Sequence, residues 1–265
     1  MSVLGIDVGT GGTRVVAIDD RGRIIGAVTR PHAPFASPGP AWAEQDPADW
    51  WRAASEAIRE LLAGSVSADE VAGVGLSGQM HGAVLLDAHG DVVRPSIIWC
   101  DQRTAAECRW IDREVGAERL LELTSNPALT NFTLTKLLWV RTHEPGAWSR
   151  VRHVLLPKDY VRFRMSGVHA IDVADASGTL LLDVARRHWS LEMLEAMKLP
   201  AELLPTVLES TAVSARVSVE GASATGLRTG TPIVAGAGDQ AAGAVGMGIT
   251  RPGAVSVTIG TSGVV

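Results

Sequence analysis

The chain's 265 residues, 46% hydrophobic and 20% charged, place it in the ordinary globular class, with enough length for a substantial core in one large domain or two. A net charge of −5 and scattered arginines, with lysine only at positions 136, 158 and 198, argue against a nucleic-acid partner. Only Cys100 and Cys108 are present, no run is long enough to span a bilayer, and the opening residues do not resemble a secretory signal; the expectation is a cytoplasmic protein without a membrane partner.

The opening Val3-Leu-Gly-Ile-Asp-Val-Gly-Thr-Gly-Gly-Thr-Arg14 and the run to Asp19 read as two strands around a tight turn. Asp20-Arg-Gly22 turns the chain again into a third strand, Arg23 to Thr29, which completes an antiparallel meander. Pro31, Pro34, Pro38 and Pro40 make the next stretch a loop. A helix follows, with Asp46 as its cap, Pro47 first, and an apolar stripe of Trp50, Ala54, Ala57, Ile58, Leu61 and Leu62.

Val71 to Leu76 reads as a strand and Ser77-Gly-Gln-Met-His-Gly82 as a loop, followed by strands at Ala83 to Asp87 and Val92 to Trp99 around the turn Ala88 to Asp91. The pattern is helical from Asp101 to about Arg150, with Leu134, Leu137, Leu138 and Val140 near one face. A strand at Val151 to Leu156 and short helices around Tyr160 and Met193 come next. Thr231 to Ala235 is a buried-type strand that opens into Gly236-Ala-Gly-Asp-Gln-Ala-Ala-Gly243. Three opening strands followed by alternating helices and a mixed sheet give an α/β class.

Two turns share one core, Gly-Thr-(Gly/Ser)-Gly, at Gly9 to Gly12 and Gly260 to Gly263. Such turns let backbone N–H groups and hydroxyls approach phosphate oxygens, although glycine also serves turns that bind nothing. The phosphate-binding candidates are Gly9, Thr10, Gly11, Gly12, Thr13 and Arg14 in the first hairpin and Gly260, Thr261 and Ser262 in the second. Asp7, just before the first turn, would face a divalent cation, so the pattern points to a nucleotide held between two hairpins.

Asp239 is the candidate catalytic base. It stands at the mouth of a strand beside Gly238, where a carboxylate can take a proton from a hydroxyl attacking phosphorus, and it is also placed to cap the following helix. Gly236-Ala-Gly-Asp-Gln-Ala241 matches a dinucleotide fingerprint, but no acidic ribose ligand follows in Ser256 to Gly260, and Asp239 would sit against the pyrophosphate. No P-loop pattern is present either.

The order Asp7-Val-Gly-Thr, Ser77-Gly-Gln-Met-His-Gly82, Trp99-Cys-Asp-Gln-Arg103, Lys136-Leu-Leu-Trp139, Leu156-Pro-Lys-Asp-Tyr160, Gly238-Asp-Gln-Ala-Ala-Gly243 and Gly260-Thr-Ser-Gly263 resembles the FGGY carbohydrate kinases, most closely their xylulose-phosphorylating branch. The resemblance covers essentially the whole chain. It implies a ribonuclease H-like, actin-type ATPase fold, a mixed sheet whose opening antiparallel strands are flanked by helices, with two domains closing over ATP and sugar. By it, Asp239 is the base, Asp7 serves Mg2+ through water, and the Gly-Thr hairpins hold the nucleotide phosphates.

The resemblance also puts Met80, His81, Trp99, Asp239 and Gln240 at the sugar, with Asn131 close by; a packing role for Met80 and His81, and a core position for Trp99, are the competing readings. Gln240, Cys100 and Gly11 depart from the commonest residues at their places. The implied reaction is ATP-dependent phosphorylation of D-xylulose to D-xylulose 5-phosphate. The alternatives are another ketose or polyol kinase, acting on ribulose, glycerol or gluconate, or a sugar-binding regulator without turnover, which would need neither Asp7 nor Asp239. A homodimer is left open. Because such kinases are nearly twice as long, residues 1–248 are expected to form the sugar-binding domain and 249–265 the opening hairpin of an ATP-binding domain, and this chain by itself to turn over little.

Overall fold

The computed structural model describes residues 1–64, 66–259 and 263–264. Its centre is a mixed seven-stranded sheet. Leu4, Ile6 and Val8 alternate with Gly5 and Asp7 along the strand Ser2–Val8, so one face is buried and the other presents the acid. This strand pairs antiparallel with Gly12–Asp19, which pairs antiparallel with Ile24–Pro31, giving the expected meander. On its other side it runs parallel to Val71–Gly78, with Ile6 opposite Leu76 and Asp7 opposite Ser77. Pro232–Val234 and Ala237–Gly238 lie parallel to that strand in turn, and Val213–Arg216 closes the edge antiparallel.

The helix Pro47–Gly64 begins where the sequence places it, with Asp46 Oδ1 accepting from the Ala48 N–H at 2.9 Å. Trp50, Ala54, Ala57, Ile58 and Leu61 are buried against the Leu4, Ile6, Val8 face, while Leu62 is only partly covered. The helix Pro157–Ser166 adds Tyr160, Val161 and Met165 to the same core. A second core gathers the helical middle of the chain around Leu134, Leu137 and Trp139, beside the paired strands Val84–Leu86 and His153–Leu155.

Several boundaries differ from the sequence expectation. The strand starting at Val71 runs on through Ser77 and Gly78, because both pair with the first strand and with Ala237–Gly238; the loop shortens to Gln79 to Gly82. Of Val92 to Trp99 only Ser96–Ile97 is a strand, since Pro95 has no N–H for a ladder and Val92 makes a single bridge to Leu86. The helix Thr133–His143 is buried on all sides from Thr133 to Val140 rather than along one face. Short elements at Ala170–Asp172, Val173–Ser177, Thr206–Leu208 and Val219–Thr225 carry no periodic signal and were not foreseen. Thr258–Ile259 pairs antiparallel with Gly263–Val264, while Gly260, Thr261 and Ser262 lie outside the described residues. Among the described residues no helix is long and apolar enough to cross a membrane.

Candidate active site

Four loops and the first turn of the helix Asp239–Gly246 meet beyond the carboxyl ends of Ser2–Val8, Val71–Gly78 and Ala237–Gly238, where ligands of open α/β sheets collect. They enclose a cavity of about 280 Å³ lined by Thr10, Met80, His81, Trp99, Asn131, Asp239 and Gln240. All five residues proposed from the sequence to meet the sugar therefore share one concave surface. Thr10, assigned from the sequence to phosphate, joins them: its hydroxyl accepts from Trp99 Nε1 at 2.9 Å. Trp99 is 37% exposed, which rules out the core position considered for it.

Asp239 is the first residue of the helix Asp239–Gly246, and Gly238, which has no side chain to cap with, holds the cap position. Burial raises the Asp239 pKa above the ordinary carboxylate value, the nearby Asp7 charge adds to this, and hydrogen bonding to Gln240 opposes it. Met80 packs beneath Gly238, where a Cβ would stand 2.7 Å from Met80 Cγ, so the residue before the acid must be small.

His81 is held as a hydrogen-bond acceptor. Its Nδ1 lies 2.8 Å from the Gly178 carbonyl, a contact that needs the proton on Nδ1, and its ring meets Phe132 edge-on at 5.0 Å. Burial and the Lys136 charge lower its pKa to about 4, leaving the ring neutral near pH 7. Nε2 has no partner among the described residues and is free to accept from a ligand hydroxyl.

Asp7 lines a second, larger cavity of about 620 Å³ on the exposed face of the sheet, together with Arg14, Ser77, Ala237, Ala241 and Val245. The helix Asp239–Gly246 contributes to both spaces, its first two residues lining the smaller and Ala241, Ala242, Val245 and Gly246 the larger. Ser77 Oγ donates to Asp7 Oδ1 at 2.8 Å, which orients the carboxylate. Among the described residues no three acidic, His or Cys side chains converge as a metal cage. One oriented carboxylate beside open space fits Mg2+, which keeps most of its waters and takes further oxygens from phosphates.

The first glycine turn is closed by the Gly9 N–H donating to Gly12 O at 3.0 Å. Gly9 and Gly11 line neither cavity, and Gly12 is already the first residue of the second strand. The structure puts the Thr13 hydroxyl against His32 Nε2, 2.9 Å away and fully buried, so it braces the hairpin instead of facing either cavity. Gln79 and Gln45 were missed from the sequence. Gln79 Nε2 donates to Gln45 Oε1 at 2.9 Å, and Gln45 Nε2 to Thr10 O at 2.8 Å, supporting the turn from behind. Gln79 stood inside a motif already singled out; Gln45 had no sequence signal.

The model for the FGGY family of carbohydrate kinases, N-terminal domain, matches residues 2–246. The chain belongs to this family. It is 43% identical over 261 residues to xylulose kinase of Escherichia coli (strain K12), covering 98% of this chain and 53% of that protein. It is 39% identical over 264 residues to xylulose kinase of Bacillus subtilis (strain 168), covering 99% and 52%. The crystal structure of xylulose kinase from Rhodospirillum rubrum superposes with a TM-score of 0.95 at 32% identity, over 99% of this chain and 54% of that one. Gluconate kinase from Lactobacillus acidophilus gives 0.84 at 26% identity, over 90% and 48%. The fold is the actin-type ATPase fold of the FGGY kinases, and the chain spans about half the length of the curated relatives it matches.

Proposed function

We propose that this chain is the sugar-binding part of an ATP-dependent FGGY kinase that phosphorylates D-xylulose at its 5-hydroxyl. The observation that carries the reading is the small cavity in which His81 Nε2 and the Asp239 carboxylate both present acceptors to a ligand. At about 280 Å³ it lies at the small end of ligand cavities, roughly 300–1,000 Å³, and suits a short polyhydroxylated chain better than a nucleotide. The identity to xylulose kinases supports the choice of sugar.

Sugar hydroxyls donate to His81 Nε2 and Asp239, with Met80 and Trp99 as walls. As the bond from O5 to the γ-phosphorus forms and the bond from phosphorus to the ADP oxygen breaks, Asp239 takes the O5 proton. Its raised pKa makes it a better base than an exposed aspartate. MgATP, when bound, supplies the phosphoryl group and the charge neutralisation that this transfer requires. Asp7, aimed by Ser77, would hold the ion through water, with Arg14 on the wall of the same larger space. Gly5, Gly75 and Ala237, small residues lining that cavity, would leave room beside Asp7 for a ligand.

Residues 1–248 form the sugar-recognising domain in this reading, and 249–265 the opening hairpin of an ATP-binding domain. Free Cys100 and Cys108 support a reducing, cytoplasmic setting. A ketose or polyol other than xylulose is the second reading, favoured by Gln240 on the cavity wall and by the similarity to a gluconate kinase. ADP release assayed with the whole protein over D-xylulose, D-ribulose, glycerol and gluconate separates them. Preference for D-xylulose is expected, and preference for another member of the panel overturns the assignment.

A further inference from the structure

The Lys136-Leu-Leu-Trp139 run has no part in the chemistry above, yet Lys136 is completely buried, directly behind the cavity. It projects from the helix Thr133–His143, and its Nζ donates to two backbone carbonyls, that of His81 at 2.9 Å and that of Asn131. Both of those residues line the smaller cavity. Thr133 Oγ1 donates to the same His81 carbonyl at 3.2 Å.

His81 needs this support. Its φ of 67° is left-handed backbone, unfavourable for a residue with a Cβ and held only where the surroundings impose it. Gly178 and Phe132 fix the direction of the ring. Lys136 and Thr133 fix the carbonyl, and hence the peptide plane from which the ring hangs.

A buried ammonium is costly, and among the described residues no carboxylate pairs with it. Asp101, the acid whose charge acts on it, is taken by Arg103, with Nη2 at 2.7 Å, and by the Ala43 N–H at 2.6 Å. An apolar side chain would fill the same space without the desolvation penalty. What it could not do is bind two loop carbonyls at once.

We propose that Lys136 is a positioning residue for the sugar, tying the His81 and Asn131 loops together so that their cavity-facing groups meet the substrate at a set separation. This deepens the kinase assignment and rests on reading the small cavity as the sugar site. Charge-assisted bonds from an ammonium are stronger than those from a neutral amine. Burial lowers the Lys136 pKa to about 7, with Asp101 and Cys100 drawing it up and Arg103 drawing it down. Of the other groups around it, His81 stays neutral across this range, with a pKa of about 4. Asp239, across the cavity, is common to wild type and variant. The tie therefore loosens, and sugar affinity falls, as pH rises through about 7.

The test titrates D-xylulose into the wild-type chain and Lys136→Met, read by tryptophan fluorescence with Trp99 at the cavity wall as reporter, between pH 6 and pH 8.5. The expected result is a roughly tenfold weaker affinity for the variant at pH 6, and a wild-type affinity that falls toward the variant's at high pH while the variant's stays level. In the whole enzyme the loss belongs to the xylulose KM, with kcat changed by less than about threefold. Wild-type affinity in folded Lys136→Met overturns the proposal. Should that variant not fold, Thr133→Val removes the other donor to the same carbonyl; its unchanged affinity, together with a level wild-type pH profile, overturns it equally. Failure of the wild-type chain to bind D-xylulose while binding another of the four sugars and polyols strikes the substrate assignment instead, and the same comparison is then read with that ligand.

Discussion

The Trp99 indole donates to the Thr10 hydroxyl across 2.9 Å, joining a wall of the sugar cavity to the turn that follows Asp7. Residues 89 apart in the chain thus share one bond between the cavity proposed for the sugar and the hairpin proposed for phosphate. Trp99→Phe keeps most of the wall and removes the donor. The expected outcome is a rise of about two- to tenfold in KM for both D-xylulose and ATP, measured by varying each substrate at saturation of the other.

Asp239→Asn should lower kcat by on the order of 10²–10⁴ while D-xylulose binding stays near wild type, as read by calorimetry. Because burial and Asp7 raise the folded-state pKa of Asp239, the native state binds the proton more tightly than the unfolded chain. The stability it contributes is present at low pH and lost as pH rises from the unfolded toward the folded value. At pH 7 the ionised acid is therefore a net cost, and Asp239→Asn should melt slightly higher than wild type. A lower melting temperature at pH 7 would contradict this sign.

Gly178→Ala tests the seat of the His81 ring. A Cβ there would lie 2.6 Å from His81 Cε1, while the backbone, with φ of −82°, accepts alanine without strain. The ring must tilt. D-xylulose KM should rise about tenfold, as for the loss of one well-placed hydrogen bond, with the melting temperature little changed.

Lys158 tests a buried charge cluster beneath the site. Its Nζ lies 2.6 Å from Asp159, 2.6 Å from Asp172 and 3.0 Å from Asp175, all with no exposed side-chain surface. Asp159 also receives Arg162 at 2.7 Å. Asp172 caps the helix Val173–Ser177, whose end presents the Gly178 carbonyl to His81. Lys158→Met leaves three buried acids of which Arg162 reaches only Asp159, and should cost about 3–5 kcal/mol in chemical denaturation. Asp175 is the odd member: burial raises its pKa, and neighbouring acids add to the shift. Asp175→Asn should therefore be tolerated far better than Asp159→Asn, whose acid serves both cations.

The opening meander was legible because its code is local. Leu4, Ile6 and Val8 alternate with Gly5 and Asp7 in steps of two, and small turn residues separate one strand from the next. The helix from Pro47 was equally plain, since its cap and apolar stripe lie within one segment. Ala170–Asp172 and Val219–Thr225 were not legible: a three-residue strand or a two-turn helix has too few positions to show a period, and each exists because a neighbour already stands beside it.

By itself the sequence determined the side chains available for the proposed chemistry, Asp7, His81 and Asp239 among them, and the order in which they occur. Only the tertiary structure decided what they face. It drew Thr10 to the smaller cavity beside Trp99, turned Thr13 inward to His32, and set Lys136 behind two loop carbonyls. The physical reason is that a residue's type and its neighbours along the chain govern backbone preference and available charge. Burial, hydrogen-bond partners and shifted proton affinities come from groups dozens of residues away, brought within about 3 Å only when the sheet assembles.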